Sequence, residues 1–585
     1  SSSSHVFFRS LWRRLAACFT QFWVFIIVHV IMGCGAAIPR EVLHLTSIHS
    51  TNSAFAAIVE GGGVVTWGHS GGNSSAVERK LSDRQVKHIY STSDAFAAVL
   101  EDGGVVTWGL SSCGGDCSEV QGRLSEKKVE CIYSTNGAFA AVLEGGGVVT
   151  WGLCTCGGDS SEVQDKLSEK QVKQICSTSG AFAAVLECGG VVTWGDSDTG
   201  GDSSAVQHKL SGKHMKHVYS TSAAFAAVLA CGGVVTWGNS IYGGDSSAVQ
   251  DRLTGQHQTA TPVLEMTLLP SQSPKALTSK RTLHHPGSSS SIELISSPQG
   301  EALGGTLLPS QTPNALRSKT THPSSSSSIE FINEHEGEAP VARSIAWDDC
   351  SDDGVASTEQ ARQQVKHIYS THQAFAAVLE AGGVVTWGHP AWGGDSSNVQ
   401  DKLNGKLVKC IYSTNSAFAA LLESGCVVTW GLSSSGGDSS AVQAKLSGDQ
   451  QVKHISSTSG AFAAVLEDGG LVTWGDSALG GDSSGVQDKI SGTSPVMNIC
   501  STSFAFAAGL KCGRLVTWGD SSYGGYMHDK LFLNDEVKHI CSTSGAFAAV
   551  VDDDIVVTWG HPAWGGEKPT IEMRLRTAST LNSFQ

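Results

Sequence analysis

The sequence predicts an all-β protein assembled from stacked copies of one small sheet, and three observations carry that reading. The segment AFAAVLEDGGVVTWG, residues 95–109, recurs ten times with small changes. Each copy holds two apolar runs around an acidic-Gly turn, the chemistry that joins antiparallel strands. In every copy a Phe precedes the Trp by twelve residues, so the intervening segment accepts no insertion. Such units cannot close a core alone, but stacked neighbours can, as in propellers and solenoids.

The T-W-G triplets place the repeats at Trp67, Trp108, Trp151, Trp194 and Trp237, then at Trp387, Trp430, Trp474, Trp518 and Trp559. Their spacing is 41–44 residues except for one step of 150. Two sets of five repeats are therefore expected, at 45–253 and 365–566, with a segment at 254–364 between them and a tail at 567–585. Five paired residues of each type stand for the packed core of a repeat: Phe96 with Trp108, Phe139 with Trp151, Phe182 with Trp194, Phe225 with Trp237, and Phe375 with Trp387. Small Ala residues beside them suggest sheets packed face to face, large side chains over small ones. Ahead of each hairpin lies a short β-forming run such as VKHIYST at 86–92. Behind it, GGDSSAVQDKL reads either as a capped helical turn with Val163 and Leu167 on one face, or as a short outer strand.

The segment VKHIYSTSDAFAAVLEDGGVVTWG resembles the repeat of the regulator of chromosome condensation family: strand, small-residue turn, apolar strand, acidic-Gly turn, and a strand ending in W-G. The resemblance implies a β-propeller, commonly of seven blades. This chain has GGDS where the family usually has G-Q-L-G, and ten repeats. One large ring, two five-repeat halves, or seven blades with extra repeats all satisfy that count.

The first 44 residues contain an uncharged run, Leu15–Met32, after Arg9, Arg13 and Arg14. It is just long enough to span a bilayer as a helix, with the repeats across the membrane from the arginines. A cleaved signal peptide is the rival reading. The expectation is a membrane-anchored or secretory-pathway protein, with a cytoplasmic one as the alternative. The sixteen cysteines keep no fixed place in the repeat, which favours free thiols over a disulfide framework. Residues 254–364 hold nine of the fourteen prolines and two serine runs, the composition of a disordered linker. Its duplicated short motifs, IELI at 292–295 and IEFI at 329–332, read as part of that linker.

A formal net charge of −15 excludes a general nucleic-acid binder, which needs a basic face to displace phosphate counterions. No G-x-S-x-G elbow or Gly-Lys-Ser/Thr phosphate loop occurs, and the GGG runs read as hairpin turns. Eight residues before each repeat Phe stand Ser47, His88, Cys131, Gln174, His217, His367, Cys410, His454, Asn498 and His539. Equivalent positions on adjacent blades lie too far apart for metal bonds of about 2.0–2.3 Å. The column is therefore taken as a strand position tolerant of medium polar residues, and the loop cysteines Cys113, Cys117, Cys154 and Cys156 are too irregularly spaced to suggest zinc. No cofactor or metal is expected.

What varies is the loop after each W-G, from LSSCGG to NSIYGG and HPAWGG. Loops on a rigid scaffold are the usual place for binding. Tyr242, Trp392, Tyr523 and Trp564 put aromatics there, a type enriched at interface hot spots. The sequence therefore points to a non-enzymatic scaffold for a protein partner. The resemblance implies two alternatives: nucleotide exchange on a small GTPase, or substrate recognition of the kind joined to HECT-type ubiquitin ligases, without the catalytic domain.

Overall fold

The computed structural model describes residues 45–82, 84–168, 171–254, 364–448, 451–490, 494–527, 537–551 and 555–566. Leu15–Met32 and the interrupting segment with its IELI and IEFI motifs lie outside them. The described residues form ten three-stranded antiparallel sheets, each built from strands consecutive in sequence. They are numbered here as blades 1 to 10 in chain order.

Blade 5 shows how the repeat folds. Its inner strand is Met215–Ser220, its middle strand Ala224–Leu229 and its outer strand Val234–Gly238. β-branched Val234, Val235 and Thr236 suit a pleated, buried strand. In register, Phe225 sits opposite Trp237, and their rings stack with centroids 5.2 Å apart. All ten blades repeat this pair at 5.1–5.3 Å. Every Phe is fully buried and every Trp nearly so.

The fourth piece of the repeat is helical. In blade 5 the turn Ser247–Val249 runs into a short helix, Gln250–Thr254. Asp245 starts it by accepting a hydrogen bond from the Ser247 amide at 2.9 Å. Leu253 follows on the inward face and is wholly buried. The corresponding residues of blade 3 are the half-buried Val163 and the buried Leu167.

Blades pack large against small. The Phe225–Trp237 side of blade 5, with Met215 and Val218 of its inner strand, lies on Ala181, Ala183 and Val185 of blade 4. A Gly loop of the preceding blade then covers the aromatic pair. The Trp237 Nε1–H donates to the Gly200 carbonyl at 3.1 Å. A Cβ on Gly200 would stand 2.7 Å from the Phe225 ring, at a backbone φ of +100°. Only glycine fits both demands.

Two serial networks join the blades. The last residue of each inner strand is a Ser whose hydroxyl donates to the carbonyl of the equivalent Ser one blade back. Ten such bonds of 2.6–2.9 Å run from Ser50 through Ser220 and Ser370 to Ser542, and the tenth, Ser50 to Ser542, closes the circle. Backbone amides two residues further on bond in the opposite sense, as from Ser179 to Ser222 at 3.0 Å. Phe55 and Ala57 of blade 1 pack on Ala546 and Ala548 of blade 10. The ten repeats are thus one ring, which settles the alternatives the repeat count left open. Blades 5 and 6 are direct neighbours despite the 150-residue step between their tryptophans: Trp387 bonds Gly243 at 3.0 Å.

Substitution at two glycines separates backbone strain from the close approach. Gly212 has φ +69° with nothing within 4 Å of a built Cβ, so Gly212→Ala costs only left-handed strain, about 1 kcal/mol. Gly200→Ala must also displace a fully buried ring and is expected to cost several times more. Urea-unfolding midpoints measure the difference, and equal midpoints would show that the Gly loop does not clamp the Phe.

Candidate functional site

The variable loops project from one end of the ring, beside the serine circle. Their backbone is fixed from three sides. In blade 5, the Thr221 hydroxyl accepts from the Ala224 amide at 3.1 Å and donates to the Tyr242 carbonyl at 2.9 Å. The Asn239 side chain accepts from the Ile241 amide at 3.0 Å. Gly243 then ends the turn and carries the carbonyl that receives Trp387. The same Thr bond reaches the carbonyls of Trp392, Tyr523 and Trp564 at 2.9–3.1 Å. Loop position is set by main chain and glycine, which leaves the side chain at each tip free to differ.

The four aromatics fall on two neighbouring pairs of blades: Tyr242 and Trp392 on blades 5 and 6, Tyr523 and Trp564 on blades 9 and 10. All four are half-buried. Tyr242, Tyr523 and Trp564 lay one side against the cluster below. Tyr523 and Trp564 meet edge to face at 5.8 Å. Phe504 joins Tyr523 at 4.5 Å and His561 joins Trp564 at 6.1 Å. The result is one aromatic cluster spanning two blades. Phe504 was not among the sequence candidates, because it stands in the turn before the middle strand and not in the variable loop. Its signal was available there, as the one aromatic in a column of Ser, Asp, Gly, Ala and Gln. Apolar tips add to this face: Ile241 is 56% exposed and Leu110 47%.

The His/Cys column lies on the inner strands, one member per blade. Tyr412 and His454 meet across one joint, with the hydroxyl 3.3 Å from Nδ1. Among the described residues no group of three or more His, Cys, Asp or Glu side chains is placed to hold a metal ion. The thirteen described cysteines, Cys113, Cys117, Cys154 and Cys156 included, are free. Burial pushes most of these thiols up, Cys176 to about 12. Cys512 is the exception: desolvation raises it, but hydrogen bonds from Arg514 and Ser494 and the guanidinium charge outweigh that and bring it to about 7. Among the described residues no helix is long and apolar enough to cross a membrane.

Burial, followed by the charge of His88, holds His49 down to about 4. Burial likewise lowers His217, His367 and His454. The unfolded chain therefore binds more protons between about pH 6.5 and pH 4, and stability falls as pH drops through that window. His49→Gln is expected to flatten part of the decline in urea midpoint; an unchanged slope would show that His49 does not resist protonation.

No known family model and no curated protein sequence matches the chain. Among solved structures it is similar to the ectodomain of the Physcomitrella patens receptor kinase CR4, at 17% identity and TM-score 0.24 over 34% of this chain and 52% of that one. It is similar to yeast RCC1 (Prp20), from its complex with Kap60, at 17% identity and TM-score 0.25 over 35% and 59%. It is also similar to the computationally designed Ika8 protein, at 10% identity and TM-score 0.27 over 74% and 96%. The chain spans less than two thirds of the length of the two natural proteins. The closed circle of serines and the ten repeated sheets make the described residues an all-β propeller of ten three-stranded blades.

Proposed function

We propose that the protein is a non-enzymatic recognition scaffold that binds a protein partner on its loop face. The observation that carries the reading is the contrast within each loop, where Thr and Gly hold the main chain identically while the tip side chains differ. At blades 9 and 10 the tips gather Tyr523, His561 and Trp564, with Phe504 from the neighbouring turn, into a half-buried aromatic cluster, a surface that gives large contact area at low entropic cost. Trp392 supplies a second anchor across the ring. An enzyme would need singular side chains at its reacting centre, whereas repeated residues here serve packing.

The double variant Trp392→Ala, Trp564→Ala tests the site. Partners recovered by quantitative proximity labelling with the native chain are expected to fall about tenfold or more, with the melting temperature nearly unchanged. If the variant unfolds, those residues belong to the core and the binding face is misplaced. Stimulated nucleotide release from a small GTPase would replace the scaffold reading with a regulatory one. Location is read separately: residues 1–45 fused to a reporter are expected to direct it to a membrane or the secretory pathway, and a diffuse cytosolic reporter would overturn that.

A further inference from the structure

The loop end of the ring is of one sign in its permanent charges. It is made of ten turns that lead into the middle strands, from 51–53 to 543–545, and ten loops that run from each outer strand to the double glycine. These segments hold Asp94, Asp196, Asp198, Asp476 and Asp520, with His69, His372, His389 and His561, and no Lys, Arg or Glu. Every described Lys and Arg falls instead on an outer helix, on a connection leading to an inner strand, on an inner strand, or in the hairpin turn of blade 9. Among the described residues none of the five aspartates is in an ion pair.

Farther out, the aspartates that start the outer helices are differently served. Hydrogen bonds from Ser118, Ser247 and Ser440, and then the charges of Lys80, Lys209 and Lys402 from the preceding blade, hold Asp116, Asp245 and Asp438 below the usual carboxylate range. The helix lysines thus have acids of their own, one layer outside the loop tips.

Two of the five loop-end acids stand beside the aromatic cluster. The start of a loop reaches the turn of its own blade: a Cβ built on Gly180 meets Asp196 Oδ2 at 3.7 Å. One built on Gly460 meets the Asp476 Cβ at 3.7 Å and, from the loop of blade 7, the Ser435 Oγ at 3.8 Å. Phe504 holds the same turn position in blade 9. It therefore lies between its own loop, with Asp520 and Tyr523, and the loop of blade 8, with Asp476 and Leu479. Both carboxylates are fixed by the amide two residues on, Asp476 by Ala478 at 2.9 Å and Asp520 by Ser522 at 2.8 Å.

Resting on the recognition role set out above, we propose that the loop face captures a basic, arginine-bearing segment of its partner at blades 8 to 10. Three features select that occupant. The rings of Phe504, Tyr523 and Trp564 touch one another, at 4.5 and 5.8 Å, so a cation lies on them and not between them, which suits a flat guanidinium better than an ammonium. The carboxylates offer acceptors already held in place for paired N–H donors. An apolar partner over the same cluster would bury Asp520 without a counter-ion, and an acidic or nucleic-acid partner would meet no Lys or Arg in these turns and loops.

The test uses the full chain in calorimetric titration at about 0.15 M salt with three short probes: an arginine–serine repeat peptide and its lysine–serine and glutamate–serine counterparts. The arginine peptide is expected to bind roughly threefold or more tightly than the lysine peptide, and the glutamate peptide not at all. The variant Asp476→Asn, Asp520→Asn is expected to weaken arginine-peptide binding about tenfold. Asn239 makes the same turn bond in blade 5, so asparagine keeps these loops folded, and single D520N gives the same comparison should the pair lower the melting temperature. Asp196→Asn with Asp198→Asn, on the same face away from the rings, is expected to leave affinity unchanged. Equal loss there, no binding of the arginine peptide, or lysine or glutamate peptide binding as tightly would each overturn the proposal. If the arginine peptide fails while Trp392→Ala, Trp564→Ala still sheds labelled partners, only the basic segment is withdrawn. If those partners are retained as well, the recognition face itself is misplaced.

Discussion

The structure depends on one contact made at each joint between blades: a stacked Phe and Trp of one blade seated beneath a Gly loop of the blade before it. The Trp indole N–H reaches the Gly carbonyl at 3.0–3.1 Å at nine joints. The aromatic pair removes a large apolar area from water, and the alanines opposite let the sheets approach closely enough for that burial to be complete. The Gly loop does two jobs with one geometry, since it covers the pair below and sets where the next variable tip begins. Packing and recognition are therefore joined in a six-residue stretch.

Much of this could be read from the residues. The unbroken twelve-residue interval between Phe and Trp implied a rigid hairpin, and the two residues face each other in register in all ten blades. The Ala column opposite the aromatics was likewise interpretable, because volume complementarity between sheets is a local property of alternating side chains. Closure was not. Whether Ser50 meets Ser542 depends on the small rotation accumulated from blade to blade, which no local pattern encodes. The Ser-Thr dipeptide at the end of each inner strand also escaped assignment: its two hydroxyls act in different directions, Ser to the previous blade and Thr to its own loop. The helical turn of GGDSSAVQDKL stayed ambiguous because its five residues are too few to show a period, and only the buried Leu253 or Leu167 marks its inward face.

The candidate sites differ in how far sequence could locate them. The loop aromatics stand out by variation, while Phe504 is visible only once neighbouring blades are placed side by side. The register shift at the start of the inner strands, beside the column whose His and Cys content drew attention, is a backbone event without a side-chain signature. The loop end of the ring thus carries apolar and aromatic tips on a frame that repeats the same contacts.

The Trp67 indole N–H is buried without a partner at the joint between blades 1 and 10, where the chain itself makes no short connection. A second joint, between blades 5 and 6, is bridged in sequence only by residues 255–363, yet its Trp387 bond is intact. Topologically the circle is two five-blade arcs whose mutual seams are held by non-covalent contacts, among them the Ser222 amide on the His372 carbonyl at 3.2 Å and the Ser50 hydroxyl on the Ser542 carbonyl at 2.9 Å. Because every blade is a continuous piece of chain and none is completed by a strand from elsewhere, either seam can serve as a point of scission. Separate arcs would each present one exposed alanine face and one exposed aromatic face, the complementary halves of the same joint, and circular permutants cut at the 5/6 seam would bury the same surfaces as the natural order.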